Sequence, residues 1–224
     1  MIELNNVAMS YGGRALFENV SLLLPEGSFH FLTGPSGAGK TTLLKLCSLQ
    51  LKASTGQVKL LGRPTDDLDR NQVAAFRRQI GVVHQDSRFV DHLSVQENVL
   101  LPLAVSHKAT TDANDVSDLL GWVGLDHVAA RMPPELSGGE RQRAALARAI
   151  IQSPEIILAD EPTGNVDWDM SLRLLDLLIE LNRLGKTVLC ATHDLNLIRQ
   201  AKSRIPVRVL RIRDGGVAAA GADL

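Results

Sequence analysis

The chain has 224 residues, of which 45% are hydrophobic and 22% are charged, as is ordinary for a globular protein with a sizeable core. Its net charge of −1 gives no electrostatic support for a nucleic-acid partner, and no apolar run reaches the length of a membrane span. No secretory signal pattern is visible, and the two cysteines, Cys47 and Cys190, lie in apolar stretches. We therefore expect buried thiols in a cytoplasmic protein that meets the membrane only through a partner.

Strands and one helix are predicted in the first third of the chain. Apolar alternation bounded by turn residues predicts strands over residues 2–9, 20–33 (with a turn at 25–27), 57–61 and 80–83. A helical pattern begins at Lys40 and is expected to run to about Leu51. The polar, Asp-rich segment 65–70 is predicted to be a turn.

The remainder of the chain is predicted to be mainly helical before short strands return. Residues 94–152 carry mostly helical pattern, broken by Pro and Gly. Beyond them, strands are predicted over 155–159, 187–191 and near 207–213, and helices over about 169–184 and 194–201. Short apolar strands that alternate with helices indicate an α/β fold with a parallel sheet covered on both faces, into which the helical middle is inserted.

A phosphate-binding loop is the first motif that carries chemistry. Residues 34–41 read Gly-Pro-Ser-Gly-Ala-Gly-Lys-Thr, follow an apolar strand and open a helix, which is the setting that this motif requires. Glycines let backbone N–H groups turn toward phosphate oxygens, and a helix N-terminus adds partial positive charge. Lys40 is expected to reach the β- and γ-phosphates, and the Thr41 hydroxyl is expected to hold Mg²⁺. A chance glycine-rich turn is the alternative.

Two adjacent acids follow the strand predicted at 155–159. Asp160 and Glu161 come directly after four apolar residues, where parallel strands present ligand-binding groups. Asp160 is expected to hold Mg²⁺, and Glu161 is placed to polarise the attacking water. Alone, this pair would more often be a solvated surface turn, but the phosphate loop upstream favours the catalytic interpretation.

Residues 136–140 read Leu-Ser-Gly-Gly-Glu and predict the start of a helix. Ser137 and Glu140 have the spacing of a capping box, and the two glycines between them leave an exposed helix N-terminus that can receive phosphate. The alternative is simply a well-capped helix. Because one nucleotide does not need two such anion sites, this second site is expected to serve a nucleotide held by another copy of the chain.

In this order, the three motifs make the whole chain resemble the ATP-binding cassette (ABC) ATPases. Residues 34–41 resemble the Walker A loop, 136–140 the family signature and 156–161 the Walker B strand. The resemblance implies an α/β P-loop NTPase fold: a RecA-like core with an antiparallel β subdomain, about 1–86 and 155–224, and an inserted α-helical subdomain, about 87–154. It also implies ATP and Mg²⁺ as cofactors and an ATP-sandwich dimer.

Four smaller elements resemble further family motifs. Tyr11 matches the aromatic that stacks on adenine, Gln85 the Q-loop glutamine, 164–167 the D-loop and His193 the switch histidine. Each has a plainer interpretation: Tyr11 is a half-buried strand end, Gln85 a polar strand terminus, and His193 a polar residue before a helix N-cap at Asp194.

The resemblance assigns a role to each candidate site residue. The residues expected to contact the nucleotide are Tyr11, Gly34, Pro35, Ser36, Gly37, Ala38, Gly39, Lys40, Thr41, Thr42, Ser137, Gly138, Gly139 and Asp167. The residues expected to act in catalysis are Glu161, His193 and Gln85. The residues expected to hold Mg²⁺ are Thr41, Gln85 and Asp160.

Within the family, residues 31–34, 37–40, 77–81 and 191–198 resemble the ATPases of bacterial cell division. That group implies an FtsX-like integral membrane partner, control of peptidoglycan hydrolysis, and a place on the inner face of the cell membrane. ATPases of lipoprotein release or macrolide export share residues 160–165 and remain the alternative, and a soluble non-transport ABC ATPase is a more distant one. His84 departs from the group pattern, which usually has an aromatic or aliphatic residue there.

Two segments are candidates for contact with the membrane complex. In the family, the surface after the Q-loop glutamine receives a helix of the membrane subunit, and residues 86–93 offer Phe89, Val90 and Leu93 there. Alternatively, these three side chains cover the local core. The basic segment 202–213 is either a terminal strand with a charged solvent face that guards a sheet edge or a surface attracted to anionic lipid.

Overall fold

A computed structural model describes residues 1–86, 88–106, 113–164 and 166–220, with the side chains of 113–115 left out. Two sheets and a set of helices make up this part of the chain. The strands are β1 Ile2–Tyr11, β2 Arg14–Leu24, β3 Phe29–Thr33, β4 Thr55–Leu60, β5 Arg63–Pro64, β6 Ile80–Val83, β7 Ile156–Asp160, β8 Thr187–Ala191, β9 Val207–Arg213 and β10 Gly216–Ala219. The helices are α1 Lys40–Cys47, α2 Arg70–Arg77, α3 Val95–Val105, α4 Ala113–Trp122, α5 Gly138–Ile150, α6 Trp168–Arg183 and α7 Leu195–Lys202, with 3₁₀ turns at Asp126–Val128 and Pro133–Glu135.

The larger sheet has six strands in the order β10-β9-β3-β8-β7-β6. All its pairings are parallel except the one between β9 and β10. Every residue of β3, β7 and β8 is buried, as expected for strands covered on both faces. The carboxyl ends of β3, β7 and β8 lie at one edge, so the segments that follow them are brought together there.

The smaller sheet is antiparallel, in the order β2-β1-β4-β5. Its apolar side chains join those of α1 and one face of the larger sheet in a single hydrophobic cluster that includes Ile2, Phe17, Leu43 and Leu158. Because α1 lies between the two sheets in this cluster, its N-terminus is fixed relative to the parallel strands.

The helices α3, α4 and α5 follow β6 and precede β7 in the chain. They share a second cluster with the opposite face of the larger sheet, to which Val99, Leu120, Leu146 and Ile157 belong. The boundaries expected for a separate helical subdomain remain a prediction.

Several predicted elements differ from the observed ones. Helix α1 ends at Cys47 and not near Leu51, because Leu49 has a left-handed φ of 59° that no helix accommodates. Strand β2 begins at Arg14, six residues before the predicted start at residue 20, since it pairs with β1 as soon as the turn at 12–13 is complete. Helix α2 was not predicted, although Asp69 and Gln72 form a capping box at its start.

The C-terminal strands change the interpretation of the basic segment. Strand β10 was not predicted as a separate element, and it pairs with β9. Strand β9 is therefore an interior strand and does not guard the sheet edge. Its exposed residues are arginines, whereas Val209, Leu210 and Ile212 are buried, so the predicted charged solvent face is present.

Both cysteines are buried and unpaired, as predicted. Burial raises the pKa of the Cys47 thiol to about 12 and also raises that of Cys190, so neither is a reactive thiolate at neutral pH. Within the described ranges, no helix is long and apolar enough to cross a membrane.

Candidate active site

The loop between β3 and α1 wraps around the N-terminus of α1. Gly39, the residue before the helix, has a φ of 103°, and a Cβ there would lie 2.5 Å from the Phe17 ring. Only glycine fits this conformation and this close approach. The loop is thereby drawn against the smaller sheet, with the first turn of α1 pointing into a cavity.

Two side chains of the first helical turn are held by hydrogen bonds across the loop. The Lys40 ammonium donates to the Gly34 carbonyl at 2.9 Å and to the Pro35 carbonyl at 3.3 Å, so it lies over the loop. The Thr41 hydroxyl points the other way and donates to Asp160 Oδ2 at 2.6 Å. The phosphate loop and the acidic strand end are therefore in direct contact.

Asp160, the last residue of β7, is only 5% exposed. Burial raises its pKa above the ordinary value, and the negative charge of Glu161 adds to this, whereas the Thr41 hydrogen bond and the Lys40 charge oppose it. A buried carboxylate that is short of positive charge is suited to a cation.

Glu161 begins the segment after β7 in a left-handed conformation, with a φ of 49°. Its N–H donates to the Ala191 carbonyl of β8 at 2.9 Å, which fixes the residue to the sheet. Its carboxylate Oε2 lies 3.0 Å from His193 Nδ1. The Glu161 side chain is 13% exposed and the His193 side chain 76% exposed, so the pair spans the wall and the mouth of the site.

A cavity of about 700 Å³ unites most of the predicted residues. Its lining consists of Leu16, Gly34, Pro35, Ser36, Gly37, Gly39, Lys40, Thr41, Thr42, Gln85, Asp160, Glu161, Gly164 and His193. All three predicted catalytic residues and all three predicted metal ligands are among them. Ala38 lies in the same loop and lines the neighbouring cavity.

Besides Ala38, five predicted nucleotide contacts lie outside this cavity. Tyr11 ends β1, half exposed, and its role stays a prediction. Ser137 is the N-cap of α5, where it forms the predicted capping box with Glu140, and the exposed or half-buried Gly138 and Gly139 follow it. Asp167 is the N-cap of α6 and accepts from the Met170 N–H at 2.8 Å. The D-loop residue Asn165 lies outside the described residues.

The segment predicted to receive a membrane partner has a mixed environment. Phe89, Val90 and Leu93 are half-buried, and Phe89 packs against the core beneath the guanidinium of Arg148, 4.5 Å from the ring centroid. Asn98 fixes this segment: its amide donates to the carbonyls of residues 90, 93 and 94 and accepts from the N–H of residue 90. Ser87 lies outside the described residues.

Sequence reasoning did not single out Asn98, and it also missed Gln142. Gln142 lies on α5, is 3% exposed and donates to the Glu161 carbonyl at 3.3 Å. The signal that could have marked each of them is a polar residue on an apolar helix face. Such a residue is expected to be buried, and buried polar groups have hydrogen-bond partners.

Comparison with known families places the chain in a class. A family model described as ABC transporter matches residues 17–164, well over half of the chain. The matched range begins at Phe17, on which the phosphate loop packs, and ends just after the acidic pair. The chain belongs to the ABC transporter family.

Similar proteins of known name narrow the assignment within the ABC transporter family to one group. The cell division ATP-binding protein FtsE of Haemophilus influenzae is 46% identical over 203 residues, which cover 89% of this chain and 93% of the relative. FtsE of Escherichia coli K12 is 43% identical over 96% of both chains, and FtsE of Bacillus subtilis is 36% identical over 96% of this chain and 93% of its own. The chain is thus an FtsE-like ABC ATPase, and the resemblance to the cell-division group is confirmed.

Solved structures confirm the predicted fold class. The ATP-binding cassette MJ0796, in a dimeric post-hydrolysis state bound to ADP and phosphate, is 34% identical, superposes with a TM-score of 0.90 and covers 98% of each chain. A dimeric structure of the MJ0796 cassette is 36% identical, with a TM-score of 0.88, and covers 97% of this chain and 96% of that one.

Proposed function

We propose that this chain is the ATP-hydrolysing subunit of a cell-division ABC complex and that its catalytic centre is the cavity between α1 and the ends of β6, β7 and β8. The observation that carries the proposal is the convergence in one cavity of Lys40, Thr41, Gln85, Asp160, Glu161 and His193. A cation, a hydroxyl, an amide and two carboxylates are the set that phosphoryl transfer to water requires.

The residues of the cavity fit Mg²⁺. Thr41 and Asp160 present neutral and anionic oxygens 2.6 Å apart, and Gln85 lines the same wall. Magnesium prefers oxygen donors and takes only one or two protein carboxylates beside phosphate and water. When bound, it supplies positive charge to the β- and γ-phosphate oxygens. Thr41, Asp160 and Gln85 would hold Mg²⁺, whose positive charge would then compensate the negative charge of Asp160.

Glu161 and His193 are placed to carry out hydrolysis. A water oxygen attacks the γ-phosphorus, the bond to the β–γ bridging oxygen breaks, and Glu161 accepts a proton from the water as ADP leaves. The hydrogen bond between His193 Nδ1 and Glu161 Oε2 restricts the rotamers of this carboxylate. Lys40 is within reach of the departing charge because it already lies over the loop.

A second copy of the chain would complete the site. The N-terminus of α5, with Ser137 and the two glycines, is exposed and does not line its own cavity, so it is free to meet a γ-phosphate held by another subunit. The dimers formed by MJ0796 support this arrangement. Asp167 and Tyr11 lie at surfaces from which they could join such a composite site.

We place the docking surface for an FtsX-like membrane protein on the groove between α2 and α3, beside residues 86–93. This groove has a volume of about 620 Å³, an apolar floor, and four arginines at 70, 77, 78 and 148. None of these arginines forms a salt bridge within the part of the chain that the structure describes. An amphipathic helix with acidic residues would suit it. Control of peptidoglycan hydrolysis and location at the inner membrane face would follow from that partner.

Phosphate release from ATP and co-purification test the two halves of this proposal. The wild-type chain is expected to release phosphate in a Mg²⁺-dependent reaction and to co-purify in detergent with an FtsX-like membrane protein. Arg78→Glu should weaken co-purification while ATP hydrolysis by the isolated chain persists, and Arg173→Glu, at an exposed position of α6, is the control. Absence of hydrolysis contradicts the enzyme, and an undisturbed complex with Arg78→Glu contradicts the groove.

The same assay examines the segment predicted from sequence. Phe89→Glu or Leu93→Glu should disrupt co-purification if these side chains belong to the docking surface. Because Phe89 also packs against the core, a thermal melt accompanies the assay, and a large loss of folded stability would assign these residues to the core instead.

A further inference from the structure

A buried side chain of helix α5 contacts the segment that follows β7 in the same subunit. Gln142 lies one turn beyond the N-cap Ser137, and its amide donates to the backbone carbonyl of Glu161 at 3.3 Å. Its exposed fraction is 3%, so water does not compete for this contact. Helix α5 thereby reaches the main chain of the proposed catalytic base.

The backbone of Glu161 needs such support. A left-handed conformation of a residue with a side chain costs about 1 kcal/mol or more and persists only where its surroundings hold it. Three contacts hold it here: its N–H bonds to Ala191, and its carbonyl accepts from the N–H of Gly164 at 3.2 Å and from Gln142. Gln142 is the only one of the three that comes from a helix outside the sheet and its following turn.

The opposite end of α5 is fixed to the same sheet. At Gly81 of β6, a Cβ would lie 2.3 Å from the carbonyl oxygen of Ala149 on α5, so helix and strand meet backbone to backbone. Movement of the helix N-terminus relative to the sheet must therefore change the position of Gln142 against Glu161.

We infer that Gln142 is a positioning residue that links the signature helix to the Glu161 backbone and so aims the catalytic carboxylate. The inference rests on the proposed function, in which Glu161 is the base and the N-terminus of α5 serves the partner's nucleotide. Each Gln142 then joins the two composite sites of a dimer: it belongs to a helix that completes one site and supports the base of the other.

A substitution that keeps the side-chain volume tests this role. Gln142→Met removes the donor but fills the space, and the Glu161 carbonyl keeps its bond from Gly164, so the chain should fold and bind ATP. We expect kcat to fall roughly 10- to 100-fold with KM for ATP nearly unchanged, the usual result of a displaced catalytic group. Gln152→Met is the matched control, because Gln152 donates to the Pro102 carbonyl and does not touch Glu161.

Mixed dimers show whether Gln142→Met acts on Glu161 of its own subunit or on the N-terminus of its own helix, which serves the partner's site. In a mixture of Lys40→Ala and Ser137→Arg chains, only mixed dimers contain an intact site, built from the phosphate loop and Glu161 of the Ser137→Arg chain and the α5 of the other. Gln142→Met added to the Ser137→Arg chain should lower the rate by the same 10- to 100-fold. When Gln142→Met is added to the Lys40→Ala chain instead, the rate should stay within about twofold of the rate of the parent mixture.

Each result has a distinct meaning. Unchanged kcat for Gln142→Met, or loss confined to the mixture in which the Lys40→Ala chain carries it, overturns the inference. Equal loss in both mixtures also overturns it, because a general weakening of α5 would act from either subunit. If the parent mixture itself is inactive although wild type hydrolyses ATP, the composite site of the proposed function fails instead.

Discussion

The Thr41 hydroxyl donates a 2.6 Å hydrogen bond to the Asp160 carboxylate, although the two residues are 119 positions apart in the chain. This contact joins the phosphate loop to the acidic end of β7. It places a neutral and an anionic oxygen ligand side by side at the carboxyl edge of a parallel sheet, where such folds bind ligands.

Replacement of Lys40 should abolish productive ATP binding. Its ammonium is the only Lys or Arg cation among the described residues that line the cavity, and no other such charge there neutralises the phosphates directly. Lys40→Ala is expected to lose affinity for a fluorescent ATP analogue in a titration. Lys45→Ala, on the same helix but outside the cavity lining, serves as control. Equal affinity of Lys40→Ala and wild type would show that this loop does not bind the phosphates.

Glu161→Gln should bind ATP but hydrolyse it on the order of 10²–10⁴-fold more slowly, since a positioned base contributes about that factor. The amide keeps the size of the side chain and cannot accept the proton. Without hydrolysis, the ATP-bound dimer should accumulate, which light scattering with and without ATP measures. Wild-type turnover by a variant that stays monomeric would contradict the role of Glu161.

The sequence predicted the chemistry better than it predicted the element ends. Strand β7 and the two acids at its end could be placed from the sequence, because an apolar run that ends in two carboxylates is typical of a buried parallel strand with ligand-binding groups at its carboxyl end. Helix α2 was missed although Asp69 and Gln72 mark its start, because only Phe76 of its residues is buried and its apolar stripe is short. Strand β10 is short and half-exposed, and only its pairing with β9 defines it.

Asn98 should be essential for the stability of the region after the Q-loop. It is fully buried and makes four hydrogen bonds to the backbone of residues 90–94. Asn98→Ala leaves the Val90 N–H and the Leu93 carbonyl without this partner, whereas the carbonyls of residues 90 and 94 keep backbone donors. The expected cost is about 3 kcal/mol in the free energy of unfolding. Chemical denaturation measures it, with Asn71→Ala, exposed on α2, as control. A loss as small as that of Asn71→Ala would show that water replaces the amide.

His30 should make the stability depend on pH. It is 1% exposed on β3, and burial, with the charge of Arg208 on the adjacent strand, lowers its pKa to about 4. The unfolded chain binds this proton near pH 6.5 and the folded chain does not, so stability is lost as pH falls from 6.5 toward 4. Between about pH 7.5 and about pH 5, wild type should lose about 2 kcal/mol more than His30→Leu.

Denaturant unfolding at the two pH values checks this difference. All other titrating groups are common to both proteins, so they cancel in the comparison. The same pH dependence in wild type and His30→Leu would mean that the folded protein accommodates a charged imidazole at this position.

The contacts that connect distant segments could not be predicted from the sequence. The position of Gln142 against Glu161 depends on how α5 packs across the sheet, and the closeness of Gly81 to Ala149 sets that packing. The place of Gln142 on an apolar helix face marks it as buried, but neither this glutamine nor Gly81 carries a local signal for the distant group that it meets. The capping box at Ser137, in contrast, is a relation within four residues, and the structure confirms it.

The ATPase activity of a mixture of Lys40→Ala and Ser137→Arg chains tests the composite site most directly. Each variant alone should be inactive, because every dimer then has the same lesion in both sites, while a Ser137→Arg monomer should still bind ATP. The equimolar mixture should recover up to roughly a quarter of wild-type activity, since about half of the dimers are mixed and each has one intact site of two. A mixture as inactive as its components, or Ser137→Arg chains that hydrolyse ATP alone, would contradict an active site shared between two copies.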